Sequence, residues 1–201
     1  MKLTEAQMAE LLRALLGRYR AVVREKRDAV EMRVVAAVFG VAALLGAPVP
    51  SAEALLARCW TTLGPVIYSP RGAWPITPEA RVVFHELTHV EQFWRGPVSF
   101  VARYLTSRGR AEMEAEAERA AMESWWLLTG MLPEGIDAPG PRIHGYALDD
   151  SHTALTRELL AKARESVARG VLVTDVGLTV AAWLRMHAPD AMVGGICGGV
   201  R

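Results

Sequence analysis

Two histidines four residues apart, with a glutamate directly after the first, constrain this 201-residue chain more than any other feature. The run is His85-Glu86-Leu87-Thr88-His89. It follows Thr77-Pro78, a capping residue with proline in the first helical position, and precedes Gly96-Pro97, which stops a helix. At 3.6 residues per turn, side chains four apart stack on one face, so both imidazoles can meet a single ion. Val83, Leu87, Val90 and Trp94 form an adjoining apolar stripe that anchors the helix in a core. Glu86 is then placed beside the ion rather than on it.

Neutral imidazole suits zinc, which it binds at about 2.0–2.1 Å. H-E-x-x-H on a helix is the signature of zinc metallopeptidases, in which the glutamate takes a proton from the metal-activated water and passes it to the leaving amine. A catalytic zinc needs a third protein ligand and one open position. A third histidine six residues after His89 is excluded, because Arg95 stands there and Gln92 occupies the place of the glycine that pattern requires. A glutamate on a second helix is the remaining route. Glu112, Glu114, Glu116 and Glu118 all lie on the long helix that follows, where such a run otherwise reads as a solvated acidic face; most of the four are expected to be that.

The arrangement resembles the gluzincins, in which the third ligand is commonly the first glutamate of an E-x-E-A pattern. Glu114-Ala115-Glu116-Ala117-Glu118 fits, with small Ala117 and Ala121 on the side approaching the motif helix. The resemblance implies Glu114 as third ligand, Glu118 beside the ligands and Glu112 as the alternative ligand. Glu118 stands where gluzincins carry Asn or Asp. The run from His85 to Gln92, followed by an apolar helix and E-x-E-A, is also similar to small bacterial zincin-like domains with an H-E-x-x-H-x-x-Q signature, many of them found near secretion or phage-type modules. The match covers about residues 61–125. It implies a zinc-dependent peptidase acting on a peptide or protein. The alternative is a zincin-like structural or assembly component, of a phage or secretion particle, with zinc serving stability.

Composition narrows the rest. Lys+Arg is 23 against Asp+Glu 22, so no global field draws nucleic acid to the chain. Cys59 and Cys197 are the only cysteines, which excludes a disulfide framework and a cysteine-rich metal site. One Cys59–Cys197 bridge stays open, but the pair reads first as two free thiols, and with a charged N-terminal stretch without a secretory signal this points to the cytoplasm, with export by a specialised system left open. Val34–Leu45 is strongly apolar but falls short of the ~20 residues a bilayer span takes, so it reads as a buried core helix rather than a membrane segment.

Elsewhere helix signals dominate. Thr4 and Gln7 form a capping box for a long helix whose seam runs through Met8, Leu12, Leu15, Tyr19 and Val22 until Lys26 interrupts it. Ser51 caps a short helix through Cys59. Val66–Tyr68, bracketed by Pro65 and Pro70, reads as an edge strand able to pair with an extended substrate, or as a plain core strand. Helices are expected over 98–105, 110–129, 151–169 and 175–187. A Pro/Gly-rich loop over 133–145 carries His144, which with Tyr146 could donate to a reaction oxyanion. His152 and His187 read as helix-end residues, and Trp125 and Trp126 as core. The expected fold is mainly α with a small β-sheet (α+β). An N-terminal helical region (1–60), a zincin-like core (61–135) and a C-terminal helical region (136–201) pack as one unit.

Overall fold

A computed structural model describes residues 3–27, 29–44, 52–70, 80–133 and 148–192. It is mainly α-helical with one three-stranded sheet, as the sequence predicts. Helix α1 (Glu5–Tyr19) opens on the Thr4–Gln7 capping box, and Met8, Leu11, Leu12, Leu15 and Tyr19 are buried. The seam does not continue to Val22. Arg20 takes a left-handed conformation, φ 51°, which ends the helix. The chain then enters strand β1 (Val22–Glu25), where the Val22 amide donates to the Pro65 carbonyl at 3.0 Å.

Strands β2 (Thr61–Leu63) and β3 (Val66–Ser69) form a hairpin whose turn holds Gly64 at φ 59°. The order is β1-β3-β2, with β3 parallel to β1 from Val22↔Val66 and antiparallel to β2 from Thr61↔Tyr68. The edge-strand expectation for Val66–Tyr68 is therefore overturned: β3 is the central strand, with Ile67 and Tyr68 buried. Pro65 and Pro70 lie just outside it, so their missing N–H groups interrupt no ladder bond.

Lys26, expected only to break a helical seam, is wholly buried. Its Nζ donates to the Cys59 carbonyl at 2.9 Å and to Thr61 Oγ1, tying the end of β1 to the start of β2. Burial pushes this lysine down to about 8, against the pull of Cys59 and Glu86.

Helix α2 (Val30–Leu44) packs against α3 (Ala52–Arg58). The reading of a buried core helix holds for one face only: Met32 and Ala36 are buried, whereas Val30, Val34, Val41 and Leu44 are 58–88% exposed. The apolar stretch has more hydrophobic surface than this small hairpin can cover. Among the described residues, no helix is long and apolar enough to cross a membrane.

The motif helix α4 (Ala80–Arg95) is followed by α5 (Pro97–Tyr104) and the long α6 (Ser107–Thr129), closed by Gly130 at φ 75°. Two more helices, α7 (Asp150–Ala168) and α8 (Asp175–His187), pack on α6. The main core draws on α1, β3, α4, α6 and α8 together. Trp126 is half-buried against it, and Trp125 is half-buried as well. His152 sits in the first turn of α7, with its Nδ1 against the capping Asp149 carboxylate. His187 stacks on Trp183 with ring centroids 4.9 Å apart.

One buried carboxylate fastens α8 to α6. Glu123 accepts from the Val173 amide (3.1 Å), from the Thr174 amide (3.0 Å) and from the Thr174 hydroxyl, and pairs with Arg119 at 2.8 Å. Removing it leaves buried donors unsatisfied and an arginine unpaired. Glu123→Ala is expected to destabilise the fold by about 3 kcal/mol, read as a lowered midpoint in urea unfolding. A midpoint within error of the parent would refute this role.

Candidate metal centre

Helix α4 is amphipathic: Val83, Phe84, Leu87 and Val90 are fully buried, and Trp94, half exposed at its end, donates its Nε1 to the Tyr19 carbonyl at 2.9 Å. That packing fixes the rotation of the helix, and with it the direction of His85 and His89. α5 and α6 then reverse the chain so that α6 runs against α4. The reversal is tight. Thr106 caps α6 by accepting from the Gly109 amide at 3.0 Å, and a Cβ on Gly109 would stand 2.1 Å from the Arg103 carbonyl oxygen.

The outcome is a buried group of His85, His89 and Glu114 that could hold a metal ion. The two Nε2 atoms are 3.1 Å apart, and Glu114 Oε2 lies 3.2 Å from His85 Nε2 and 3.4 Å from His89 Nε2. This oxygen is buried and has no hydrogen-bond donor, the situation expected of an atom whose partner is a cation. Burial alone would lower His89, but the Glu114 charge beside it, with Glu86 and Gln92, raises it to about 9. Burial would raise Glu114, and the two histidines hold it well below the usual carboxylate range. The opposite shifts of His89 and Glu114 have one cause, the charge of each acting on the other across the space a cation would fill.

Partners around the triad orient it. Gln92 Oε1 lies 2.9 Å from His89 Nδ1, while Gln92 Nε2 donates to the Met113 carbonyl (3.0 Å) and to Glu116 (2.9 Å). Those two acceptors fix the amide orientation, so Oε1 must accept and His89 Nδ1 must carry the proton. The Nε2 lone pair is thereby turned into the site. His85 Nδ1 lies 3.5 Å from Glu118 Oε1, and Arg81 holds the other Glu118 oxygen at 3.0 Å. Tyr104, at the end of α5, donates to Glu114 Oε1 at 2.8 Å. Burial and the Glu114 charge push this phenol well above its usual value, so it remains a donor.

Glu86 is nearly buried and points toward the sheet, where the Thr62 hydroxyl of β2 donates to its Oε2 at 2.6 Å. It is still close enough to the site for its charge to act on both His89 and Tyr104.

Of the acidic run, the structure brings Glu114 to the histidines and Glu118 beside them. Glu112, the alternative ligand, is not there: it pairs on the surface with Arg103 (3.1 Å) and Arg108 (3.0 Å). Glu116 faces Arg95 and Gln92. The expectation that most of the four form a solvated face holds for at most two: Glu112 and Glu116 are part-exposed in ion pairs with arginines, whereas Glu114 and Glu118 are buried at the histidines. His144 and Tyr146 lie outside the described residues.

Four residues of this centre, Gln92, Thr62, Tyr104 and Arg81, escaped the sequence reading of roles. Gln92 had a signal, being three residues after His89 on the same face of the helix. Thr62 and Tyr104 had none, because tertiary packing alone brings them to Glu86 and Glu114. Comparison with protein-family models, with curated proteins and with solved structures finds no match for this chain.

Proposed function

We propose that this chain is a zinc-dependent peptidase of the gluzincin type, with His85, His89 and Glu114 as ligands and Glu86 as general base. The observation that carries the reading is the triangle of Nε2, Nε2 and Oε2, with sides of 3.1, 3.2 and 3.4 Å, closed by a buried oxygen without a donor. A regular tetrahedron with ligand distances of about 2.0 Å has edges of about 3.3 Å, so the triangle suits one face of a zinc site. Its fourth corner belongs to no residue of the triad.

A zinc ion held there supplies Lewis-acid activation of water. The chain supplies the proton path. Thr62 occupies Glu86 Oε2, leaving Oε1 as the oxygen that takes the proton of the attacking water and returns it to the leaving nitrogen. Gln92 and Glu118 keep the imidazole rings turned toward the ion. β2 lies at the sheet edge beside α4, and takes over from Val66–Tyr68 the role of aligning an extended peptide by β-augmentation.

A second reading, a zincin-like assembly component with a stabilising metal, draws support from the apolar face that α2 leaves exposed. Glu86 favours the enzyme, since a structural metal has no use for a base.

The direct test is metal analysis of the purified chain beside a peptidase assay. About one zinc per chain should survive dialysis, and adding zinc at a hundredfold excess over its Kd should stabilise the stripped chain by about 2.7 kcal/mol. A chain that holds no metal and gains no stability from added zinc would refute the reading.

A further inference from the structure

We infer that Tyr104 is a positioning residue for the metal centre, dictating that Glu114 binds an ion through one oxygen rather than two. The inference rests on the metal-site reading above. Glu114 is divided between two neighbours: Oε2 faces both imidazoles, at 3.2 and 3.4 Å, while Oε1 accepts the Tyr104 hydroxyl at 2.8 Å. A hydrogen bond on the second oxygen competes with chelation, because turning Oε1 onto the ion would lengthen or break that bond. The carboxylate holds one corner and leaves the next open, as a three-ligand site with a reactive position requires.

The tyrosine is itself held for this task. Its ring stacks on Phe100 (centroids 5.8 Å apart, planes at 20°), and Phe100 meets Phe93 of the motif helix edge to face at 6.0 Å. The Tyr104 ring also stands edge-on to His89 at 6.2 Å. The aromatic ladder Phe93–Phe100–Tyr104 therefore measures the gap between α4 and α5 and delivers the hydroxyl to one oxygen. α5 buries no residue completely, and what holds it against the site is the Phe100 ring on Phe93 and the Tyr104 hydroxyl on Glu114. Helix α5 is the arm that carries this hydroxyl.

The test is Tyr104→Phe, which removes one oxygen and keeps the ladder. Zinc affinity is read by competition with a chromophoric chelator, and coordination by the visible absorption of the cobalt-loaded chain. The variant is expected to bind zinc about 10–100-fold more weakly. Its cobalt bands should lose intensity as Glu114 turns to chelate and a four-coordinate ion becomes five-coordinate. Glu112→Gln, which loosens the Arg103 tie of the same helix without touching Glu114, should leave both readings as in the parent. Unchanged affinity and spectrum in Tyr104→Phe overturn the inference and leave the metal site standing. Equal losses in both variants also overturn it, because helix docking and not the hydroxyl would then be responsible. A parent that binds neither metal overturns the site reading, and this inference with it.

Discussion

Glu86→Gln is expected to lower peptide hydrolysis by about 10²–10⁴ while zinc content and melting temperature stay those of the parent. Gln has nearly the shape of Glu, and its carbonyl oxygen can still accept the Thr62 hydroxyl that holds Glu86 at 2.6 Å. The side chain thus keeps its place on α4. It loses only the capacity to take a proton from the attacking water. Because Glu86 is not one of the triad, metal binding is expected to be undisturbed. The measurement is cleavage of unfolded protein and of a broad peptide library, with metal analysis of the same preparations. A variant as active as its parent would remove Glu86 from the mechanism. If the parent cleaves nothing in the library and Glu86→Gln preserves its role in the cell, the assembly reading replaces the enzyme.

The second large effect belongs to Glu114→Ala, which should abolish zinc retention. Structural zinc sites bind with about 10–16 kcal/mol shared over four ligands, so losing one costs about 3 kcal/mol, more than a hundredfold in affinity. The loss here is compounded by the two imidazoles that face Glu114 Oε2 at 3.2 and 3.4 Å, which would be left without the negative charge that balances the ion. Glu112→Ala should keep the metal, since that carboxylate is engaged with Arg103 and Arg108 on the surface. Glu116→Ala should keep it too, because Gln92 retains its bond to the Met113 carbonyl. Metal content after dialysis decides. Zinc lost from the Glu112 variant and kept in the Glu114 variant would move the ligand along the helix and refute this assignment.

What the sequence made legible was what local rules govern. The Thr4–Gln7 box, the stop at Gly130 and the helix Asp175–His187 follow from capping and periodicity. The helical face of His85 and His89 follows from the same period. The E-x-E-A resemblance added Glu114, which the structure brings to them. The sheet was less legible. β1 and β2 are four and three residues long and carry charge or threonine, so neither shows an alternating pattern, and β3 looked like an edge without its neighbours. Lys26 misled for a related reason: a lysine is normally read as exposed, and only the carbonyl of Cys59 and the hydroxyl of Thr61 make its burial tolerable. Hydrophobicity alone likewise placed α2 in the core, although helix pairing leaves one of its faces bare.

The turn between α5 and α6 has a consequence for which residues this centre tolerates. Gly109 carries no functional group and lies in the first turn of α6, five residues before Glu114. Yet any side chain there would meet the Arg103 carbonyl at 2.1 Å, a fixed piece of backbone that cannot swing aside. Relief would require the first turn of α6 to move away from α5 by about 1 Å. A helix transmits such a shift as a rigid rod, so it would arrive nearly undiminished at Glu114, five residues on. Constellations of this kind work only when held to about 0.5 Å. The tolerance of the candidate site to change is therefore set as strictly by the want of one carbon atom at position 109 as by the chemistry of His85, His89 and Glu114.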